Sequence, residues 1–251
     1  MAKLRVLSID WDFLFNASLE QRMLKFPDCC NEKYPSYLQD IIWSSRYAES
    51  KEIEDIAVDA RAMSILKEYI SNNCTKDTFC TVWDSHKNLY DEIISRVKGK
   101  GSLEVVNVDF HHDMYDSQTS EIDCGNWVTF LYEEKERNKH ERYHAIHPND
   151  RYYWVAREDS DVSAEYKEYL TMISIDELPD IGQFDLLFIC RSSMWSPPHL
   201  DIAFDEFCKW VNDNVTRTEI NITQSRYTAS FKKAVDSHCK QIDEIRNKAV
   251  K

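Results

Sequence analysis

The sequence predicts an α/β domain with a mainly parallel sheet between two layers of helices. Five short runs are continuously apolar rather than alternating, which is typical of strands that are buried on both faces. They cover residues 4–9, 79–82, 103–108, 152–155 and 184–190. Segments with apolar residues at intervals of three and four lie between them, as amphipathic helices require. Because strands that alternate with helices are joined by right-handed crossovers, a three-layer α/β/α architecture is expected.

Three helices are predicted from this periodicity, over residues 53–69, 89–97 and 204–211. A polar segment from about residue 231 onward predicts a further helix, which could either pack on the domain or protrude from it. Only 4 glycines occur in 251 residues, which argues against a glycine-rich phosphate-binding loop. No linker-like composition interrupts the chain, so a single domain is expected over residues 1–251.

The chain is acidic, with a formal net charge of -13. A phosphate backbone or an anionic membrane surface would be repelled, so no nucleic-acid or membrane partner is expected. No apolar run approaches the roughly 20 residues of a membrane span. The 8 cysteines contain no C-x-x-C pair, and no signal-peptide pattern opens the sequence. These features together predict a cytoplasmic protein with reduced thiols, and they favour a cationic partner.

Acidic and imidazole side chains follow three of the predicted strands, at the point where each apolar run stops. The first run ends in "LSIDWDF", the second in "FCTVWDSH" and the third in "VVNVDFHHD". The side chains in question are Asp10, Asp12, His86, Asp109, His111 and Asp113. Residues two apart in an extended chain point to the same side, and the carboxyl ends of parallel strands share one edge of a sheet. We therefore expect the six side chains to lie close together.

Several crowded carboxylates cannot all stay ionised without a compensating positive charge. A site rich in aspartate and histidine, without a cysteine pattern, favours a hard or borderline ion such as Mn²⁺, and bridging carboxylates indicate two ions about 3.5–4 Å apart. The motifs at the strand ends also have simpler interpretations. D-x-D is common in turns and helix caps, and Asp84 could cap the helix that follows it. D-x-H-x-D is more specific, because burying these groups without compensation costs several kcal/mol. Taken together, the three strand ends favour a metal site.

The three motifs resemble those of the ureohydrolases, the arginase and agmatinase superfamily whose sheet is similar to that of the histone deacetylases. In that family one strand ends in a histidine, one in D-x-H-x-D and one in S-x-D-x-D. The corresponding segments here are "VWDSH", "VDFHHD" and "SIDWD", and "CGNW" is similar to the S-G-N segment that lines the arginase substrate pocket. Two features depart from arginases. The D-x-D motif comes first rather than last, and Val128 replaces the histidine that follows S-G-N.

The chain resembles the peptide arginases more closely in its permuted motif order, in the motif "DFHHD" and in the segment "CRSSMWSPP". Peptide arginases convert arginine residues of ribosomally made precursor peptides into ornithine. This resemblance implies two Mn²⁺ ions per chain and an arginine-containing precursor peptide as the substrate. It also implies hydrolysis of the guanidinium group to peptidyl ornithine and urea. Asp10 and Asp109 would bridge the ions. Asp113 would transfer protons, and His112 is the nearest replacement for the missing arginase histidine.

A guanidinium group is best held by a carboxylate, so the pocket requires an acid besides the metal ligands. Three acids precede "CGNW", and each could equally be a solvated loop residue: Asp116, Glu121 and Asp123. Asn126 and Trp127 are expected in the pocket because they belong to the "CGNW" segment. Arg191 could bind the peptide or pair with an acid near the site.

Two other functions fit the same residues. The first is a metal-dependent amidohydrolase of the deacetylase type, although deacetylases characteristically use one zinc ion and fewer acids. The second is a metal-stabilised protein that binds basic peptides without catalysis. Since ureohydrolases are often oligomeric, the resemblance also allows a homo-oligomer.

Overall fold

The computed structural model describes residues 3–27, 34–97, 102–115, 121–132, 149–158, 160, 170–222 and 225–249. In these residues the three-layer α/β/α fold that the sequence predicts is confirmed. The strands are β1 Lys3–Asp10, β2 Phe79–Trp83, β3 Ser102–Val108, β4 Arg151–Val155, β5 Leu170–Ile173, β6 Leu186–Cys190 and β7 Thr218–Asn221. The helices are α1 Leu19–Lys25, α2 Ser36–Glu49, α3 Ala60–Asn73, α4 Asn88–Val97, α5 Trp127–Tyr132, α6 Asp201–Asn214 and α7 Ala229–Ala249.

The strands form one sheet in the order β5-β4-β3-β1-β6-β2-β7, and every neighbouring pair is parallel. The first strand of the chain therefore lies at the centre. Near its carboxyl end, Ile9 pairs with Val108 of β3 and Asp10 pairs with Cys190 of β6. Trp83 of β2 pairs with the same Cys190. Four strands thus end level at one edge, and the residues that follow them meet there.

Two hydrophobic cores lie on the two faces of the sheet. Successive side chains of a strand point to opposite faces, so Leu7 and Ile9 of β1 join one core while Leu4 and Val6 join the other. The first core includes α3 and α6, and the second includes α4 and α5. Both faces of the central strands are covered, which explains why their sequences are continuously apolar.

The five predicted strands are all present, but β5 and β7 were not predicted. Both are four-residue strands at the two edges of the sheet. Edge strands are partly exposed and need not be apolar, so periodicity gives little indication of them. The helices α1, α2 and α5 were also not predicted.

The single helix expected over residues 53–69 is wrong in its first part. A short 3-10 turn covers Lys51–Asp55, and α3 begins only at Ala60. Asp59 sets this start, because its carboxylate accepts the backbone N–H groups of Arg61 and Ala62, both at 3.0 Å.

The polar helix predicted from about residue 231 is present as α7, which begins at Ala229. It packs against α2 rather than protruding: the rings of Phe231 and Tyr47 meet edge to face with centroids 5.4 Å apart. Within the described ranges, no helix combines the length and apolar character needed to cross a membrane.

Candidate metal centre

All six predicted ligands meet at the carboxyl edge of the sheet. His86, in the loop after β2, lies at the centre of the first group. Its Nδ1 atom is 3.3 Å from Asp10 Oδ2, 3.0 Å from Asp109 Oδ2 and 2.9 Å from Asp113 Oδ2. Asp10 ends β1, and the other two acids follow β3. Asp10, His86 and Asp109 each offer a ligand atom close enough to the others to hold one metal ion.

A second group lies beside the first. His111 Nδ1 is 3.2 Å from Asp12 Oδ2 and 3.8 Å from Asp109 Oδ1. Asp12, Asp109 and His111 again have the spacing of a metal site. Asp109 therefore offers one oxygen to each group, as a carboxylate that bridges two ions does.

Two buried ligand atoms, His86 Nδ1 and Asp12 Oδ2, have the ion-pair contacts given above but form no hydrogen bond with the described residues. The opposite nitrogen of His86, Nε2, lies 2.6 Å from the Ser8 hydroxyl, which fixes the ring with Nδ1 toward the carboxylates. A buried polar atom without a hydrogen bond costs about 1–3 kcal/mol. This cost favours the binding of a ligand to the two atoms. Carboxylate oxygens and imidazole nitrogens fit Mn²⁺.

The crowding of the acids changes their protonation. Burial raises the pKa of Asp10 to about 6, and the charges of Asp12 and Asp109 add to this effect. Burial likewise raises the pKa of Asp109 to about 7, with a further contribution from Asp113. Burial opposes protonation of His111, but the Asp12 carboxylate outweighs it and raises the pKa of His111 to about 9. Below these pKa values the groups bind protons, which a metal ion would have to displace.

His86 and Asp12 shift in opposite directions. Burial opposes the protonation of His86, but the surrounding carboxylates, led by Asp113, raise its pKa well above the usual value. Burial would raise the pKa of Asp12, but His111 and Arg22 outweigh it and hold this pKa below the usual range. Asp12 is thus the acid of the cluster that keeps its charge most readily.

Two residues of the site have left-handed backbones, which non-glycine residues rarely adopt. Ser192 has φ 51° and Asp113 has φ 56°. The Ser192 hydroxyl donates a hydrogen bond of 2.5 Å to Asp10 Oδ2, and Trp127 Nε1 donates one of 2.5 Å to Asp113 Oδ2. Strained backbones persist where the surrounding structure holds them, and they cluster at functional sites. Here they are associated with the orientation of two carboxylates.

Asp109 is held from three directions. Asn107 Nδ2 donates to Asp109 Oδ2 at 3.1 Å, and the backbone N–H of His111 donates to Asp109 Oδ1 at 2.8 Å. The indole of Trp154 donates to the Asp109 carbonyl at 3.0 Å. Ser8, Asn107, Trp154 and Ser192 were not among the predicted site residues. A polar residue inside an apolar strand, as in "LSID" and "VNVD", was the available signal for two of them.

Arg191 is completely buried and pairs with acids, the second of the two roles that the sequence left open. Its Nε and Nη2 atoms lie 2.7 and 2.6 Å from Asp84 Oδ1, and its Nη1 atom lies 3.4 Å from Asp201 Oδ2. Arg226 also pairs with Asp201, at 2.6 Å. This network joins the loop after β6 to α6. The helix α4 begins at Asn88, four residues after Asp84.

The residues expected to bind substrate have different surroundings. Asn126 is buried and shapes its own loop, because its side chain accepts the Asp123 N–H at 2.8 Å and donates to the Glu121 carbonyl at 3.2 Å. Glu121 and Asp123 are exposed. Trp127 contacts Asp113, as described above. Asp116 lies outside the described residues.

His112 is buried beside the cluster. Its Nδ1 atom accepts the Met114 N–H at 2.9 Å, and its ring packs on Tyr115 and Trp154 with centroid distances of 4.1 and 5.6 Å. The proton-transfer role implied by the resemblance is not tested by these contacts and stays a prediction.

The cluster opens on one side. The side chain of His111 is 22% exposed, whereas those of His86 and its three carboxylate neighbours are at most 5% exposed. The partly exposed indole of Trp195 lies next to His111, with ring centroids 5.0 Å apart. Within the described part of the chain, His111 and Trp195 form the side of the cluster that is most exposed to solvent.

Comparison with known proteins gave no match. No protein-family model matches the chain. Neither a curated protein nor a solved structure matches it either.

Proposed function

We propose that this chain is a metal-dependent hydrolase of the ureohydrolase type, with a pair of Mn²⁺ ions at the two ligand groups. The observation that carries the proposal is the sharing of Asp109 between two groups, each with a buried ligand atom that forms no hydrogen bond with the described residues: His86 Nδ1 and Asp12 Oδ2. Such atoms would be satisfied by cations and are costly otherwise. The resemblance of the three motifs to those of ureohydrolases supports the same assignment.

Bound ions would supply positive charge that lowers the pKa of a water molecule and stabilises negative charge in the transition state. Among the protein groups, Asp113 is suited to proton transfer. Burial raises its pKa, so it can carry a proton closer to neutral pH than an ordinary carboxyl group does. The indole of Trp127 holds its Oδ2 atom in place. Asp113 would accept a proton from the attacking water and deliver it to the departing amine.

The substrate we propose is the guanidinium group of a peptidyl arginine. Water would add to the guanidinium carbon, and the bond from this carbon to the side-chain nitrogen would break, which yields urea and ornithine. The net charge of -13 favours a cationic substrate. A planar cation could also pack on the partly exposed ring of Trp195 beside His111. The choice of a peptide over free arginine rests on the resemblance to peptide arginases.

Urea release from the Mn²⁺-loaded protein is the direct test. The substrates are an arginine-containing peptide, free arginine and an acetyl-lysine peptide, and bound metal is measured in parallel. Urea and peptidyl ornithine from the arginine peptide are expected. Asp109→Ala should abolish both metal binding and urea release. Asp176→Asn, which changes an exposed acid paired with Arg61, is the control that should change neither.

Other outcomes of this test would replace the proposal. Acetate released from the acetyl-lysine peptide, without urea, would indicate an amidohydrolase of the deacetylase type. Bound metal with no product from any substrate would indicate a protein that binds basic peptides. Absence of bound metal would contradict the metal centre itself.

A further inference from the structure

A buried arginine lies against one of the two ligand groups. Arg22 of α1 is 7% exposed, and its Nη1 atom is 3.6 Å from Asp12 Oδ2. Its guanidinium also faces the ring of Phe110, at 3.8 Å from the ring centroid. An arginine side chain keeps its positive charge at every physiological pH. The second ligand group therefore contains a permanent cation of the protein itself.

Two hydrogen bonds of Arg22 go to backbone carbonyls. Its Nε atom donates to the Ala17 carbonyl at 3.1 Å, and its Nη2 atom donates to the Asp12 carbonyl at 2.6 Å. The Asp12 carboxylate has separate support, since its Oδ1 atom accepts the Phe110 N–H at 3.4 Å. Between Arg22 Nη1 and Asp12 Oδ2 the described residues show an ion pair at 3.6 Å and no hydrogen bond, so Arg22 acts on this ligand atom through its charge.

The described residues place no arginine or lysine against the first ligand group. Among the described residues, no lysine or arginine forms an ion pair with Asp10, Asp109 or Asp113. The second group has Asp12, whose charge is partly balanced by Arg22, and Asp109, which it shares with the first group. Because like charges repel strongly in a site of low dielectric constant, a divalent cation at the second position is opposed by the guanidinium.

We propose that Arg22 makes the two metal positions unequal, so that the first binds a divalent cation tightly and the second binds one weakly. This inference rests on the proposed function, because it assumes that both groups hold ions. When divalent cations are scarce, the protein holds one ion and Arg22 balances Asp12. The second ion binds only at higher concentration. Occupancy of the second position would then depend on the supply of the metal.

Calorimetric titration of the metal-free protein with Mn²⁺ tests the inference without relying on activity. The wild type is expected to bind two equivalents in two steps, with dissociation constants that differ at least about tenfold. Arg22→Gln removes the charge and keeps a hydrogen-bond donor, so it should tighten the second step about tenfold and leave the first unchanged. Arg22→Lys keeps the charge and is the matched control, with the two steps as far apart as in the wild type.

Arg22→Met is a second neutral variant, in case the glutamine variant does not fold, and circular dichroism reports folding for each protein. Equal dissociation constants in the wild type, unchanged in the neutral variants, would overturn the inference and leave the dinuclear centre intact. Weakening of the second step by Gln, Met and Lys alike would show that Arg22 supports the site by its position, which also overturns the inference. Absence of bound metal in the wild type would overturn the proposed function together with it.

Discussion

The two halves of the candidate metal centre share Asp109 but differ in solvent exposure and in the positive charge beside their carboxylates. The half around His86 is almost inaccessible to solvent, and its carboxylates have no arginine or lysine counter-charge among the described residues. The half around His111 is partly exposed and includes Arg22 beside Asp12. A buried group of acids without an arginine or lysine must be balanced by bound protons or by an external cation, whereas the other half also contains a permanent positive charge. The same ligand types can therefore have different metal requirements.

Removal of Asp109 should have the largest effect, because it removes the ligand that both halves share. In Asp109→Ala, both equivalents of Mn²⁺ should be lost, which elemental analysis of the purified protein measures. Asp176→Asn is the control, since Asp176 is an exposed acid that pairs with Arg61 and not with a residue of the cluster. If one tightly bound ion remained in Asp109→Ala, the two halves would not depend on a shared carboxylate.

Acidification should have the next largest effect. Asp10 and Asp109 have pKa values raised to about 6 and about 7, so they are deprotonated above these values and bind protons as the pH falls through them. His111, with a pKa raised to about 9, must also lose a proton before it binds metal. The affinity for Mn²⁺ should therefore fall as the pH is lowered from 8 to 5, about tenfold per pH unit for each proton displaced.

Titrations in buffers with different ionisation enthalpies measure this proton release directly. The expected result is a net release of protons on binding that is larger at pH 6 than at pH 8. Binding that is independent of pH across this range would contradict the assignment of these carboxylates and imidazoles as ligands.

Substitution of Ser192 should affect one half only. Its hydroxyl donates a hydrogen bond to Asp10, so Ser192→Ala should weaken the first Mn²⁺ about 10–100-fold and leave the second unchanged. Ser192→Gly removes the same hydroxyl but also relieves the backbone strain at φ 51°. Equal weakening in both variants, measured by calorimetry, would identify the hydrogen bond as the cause. A selective loss of the second ion would contradict the separation of the halves.

Substitution of Trp195 should have the smallest effect, because Trp195 lies beside the exposed half but offers no atom that could bind a metal ion. Trp195→Ala should leave the Mn²⁺ content unchanged and raise KM for an arginine peptide about fivefold, as expected for the loss of a cation–π contact. Trp195→Phe keeps an aromatic face and should recover most of this loss. An unchanged KM in Trp195→Ala would place the substrate elsewhere.

The cluster of acids and histidines could be predicted from the sequence because its members lie at or shortly after the ends of buried strands. A run such as "VVNVDFHHD" changes character within two residues, and the parallel sheet brings such ends together. The residues that support the ligands were harder to predict. Ser8 contacts His86, and Ser192 contacts Asp10, across pairs of strands that are far apart in the chain. These contacts depend on strand order, which the permuted motifs left open.

Arg22 could not be predicted for a related reason. It lies on a seven-residue helix whose sequence has no feature that distinguishes a buried arginine from a solvated one. Only the packing of this helix over Phe110 brings the guanidinium to Asp12. The edge strands β5 and β7 were missed because short strands with a solvent-exposed side lack the continuous apolar pattern.

The central position of β1 has a consequence for how the chain folds. Leu4 pairs with Leu103 of β3, and Asp10 pairs with Cys190 of β6, so both neighbours of β1 are distant in sequence. Contacts between distant segments slow folding, because the loop between them must be closed before the contact forms. During synthesis, β1 emerges from the ribosome long before β6 does. One edge of an apolar strand therefore stays unpaired until most of the chain is made, and in this interval the edge is open to pairing with another chain.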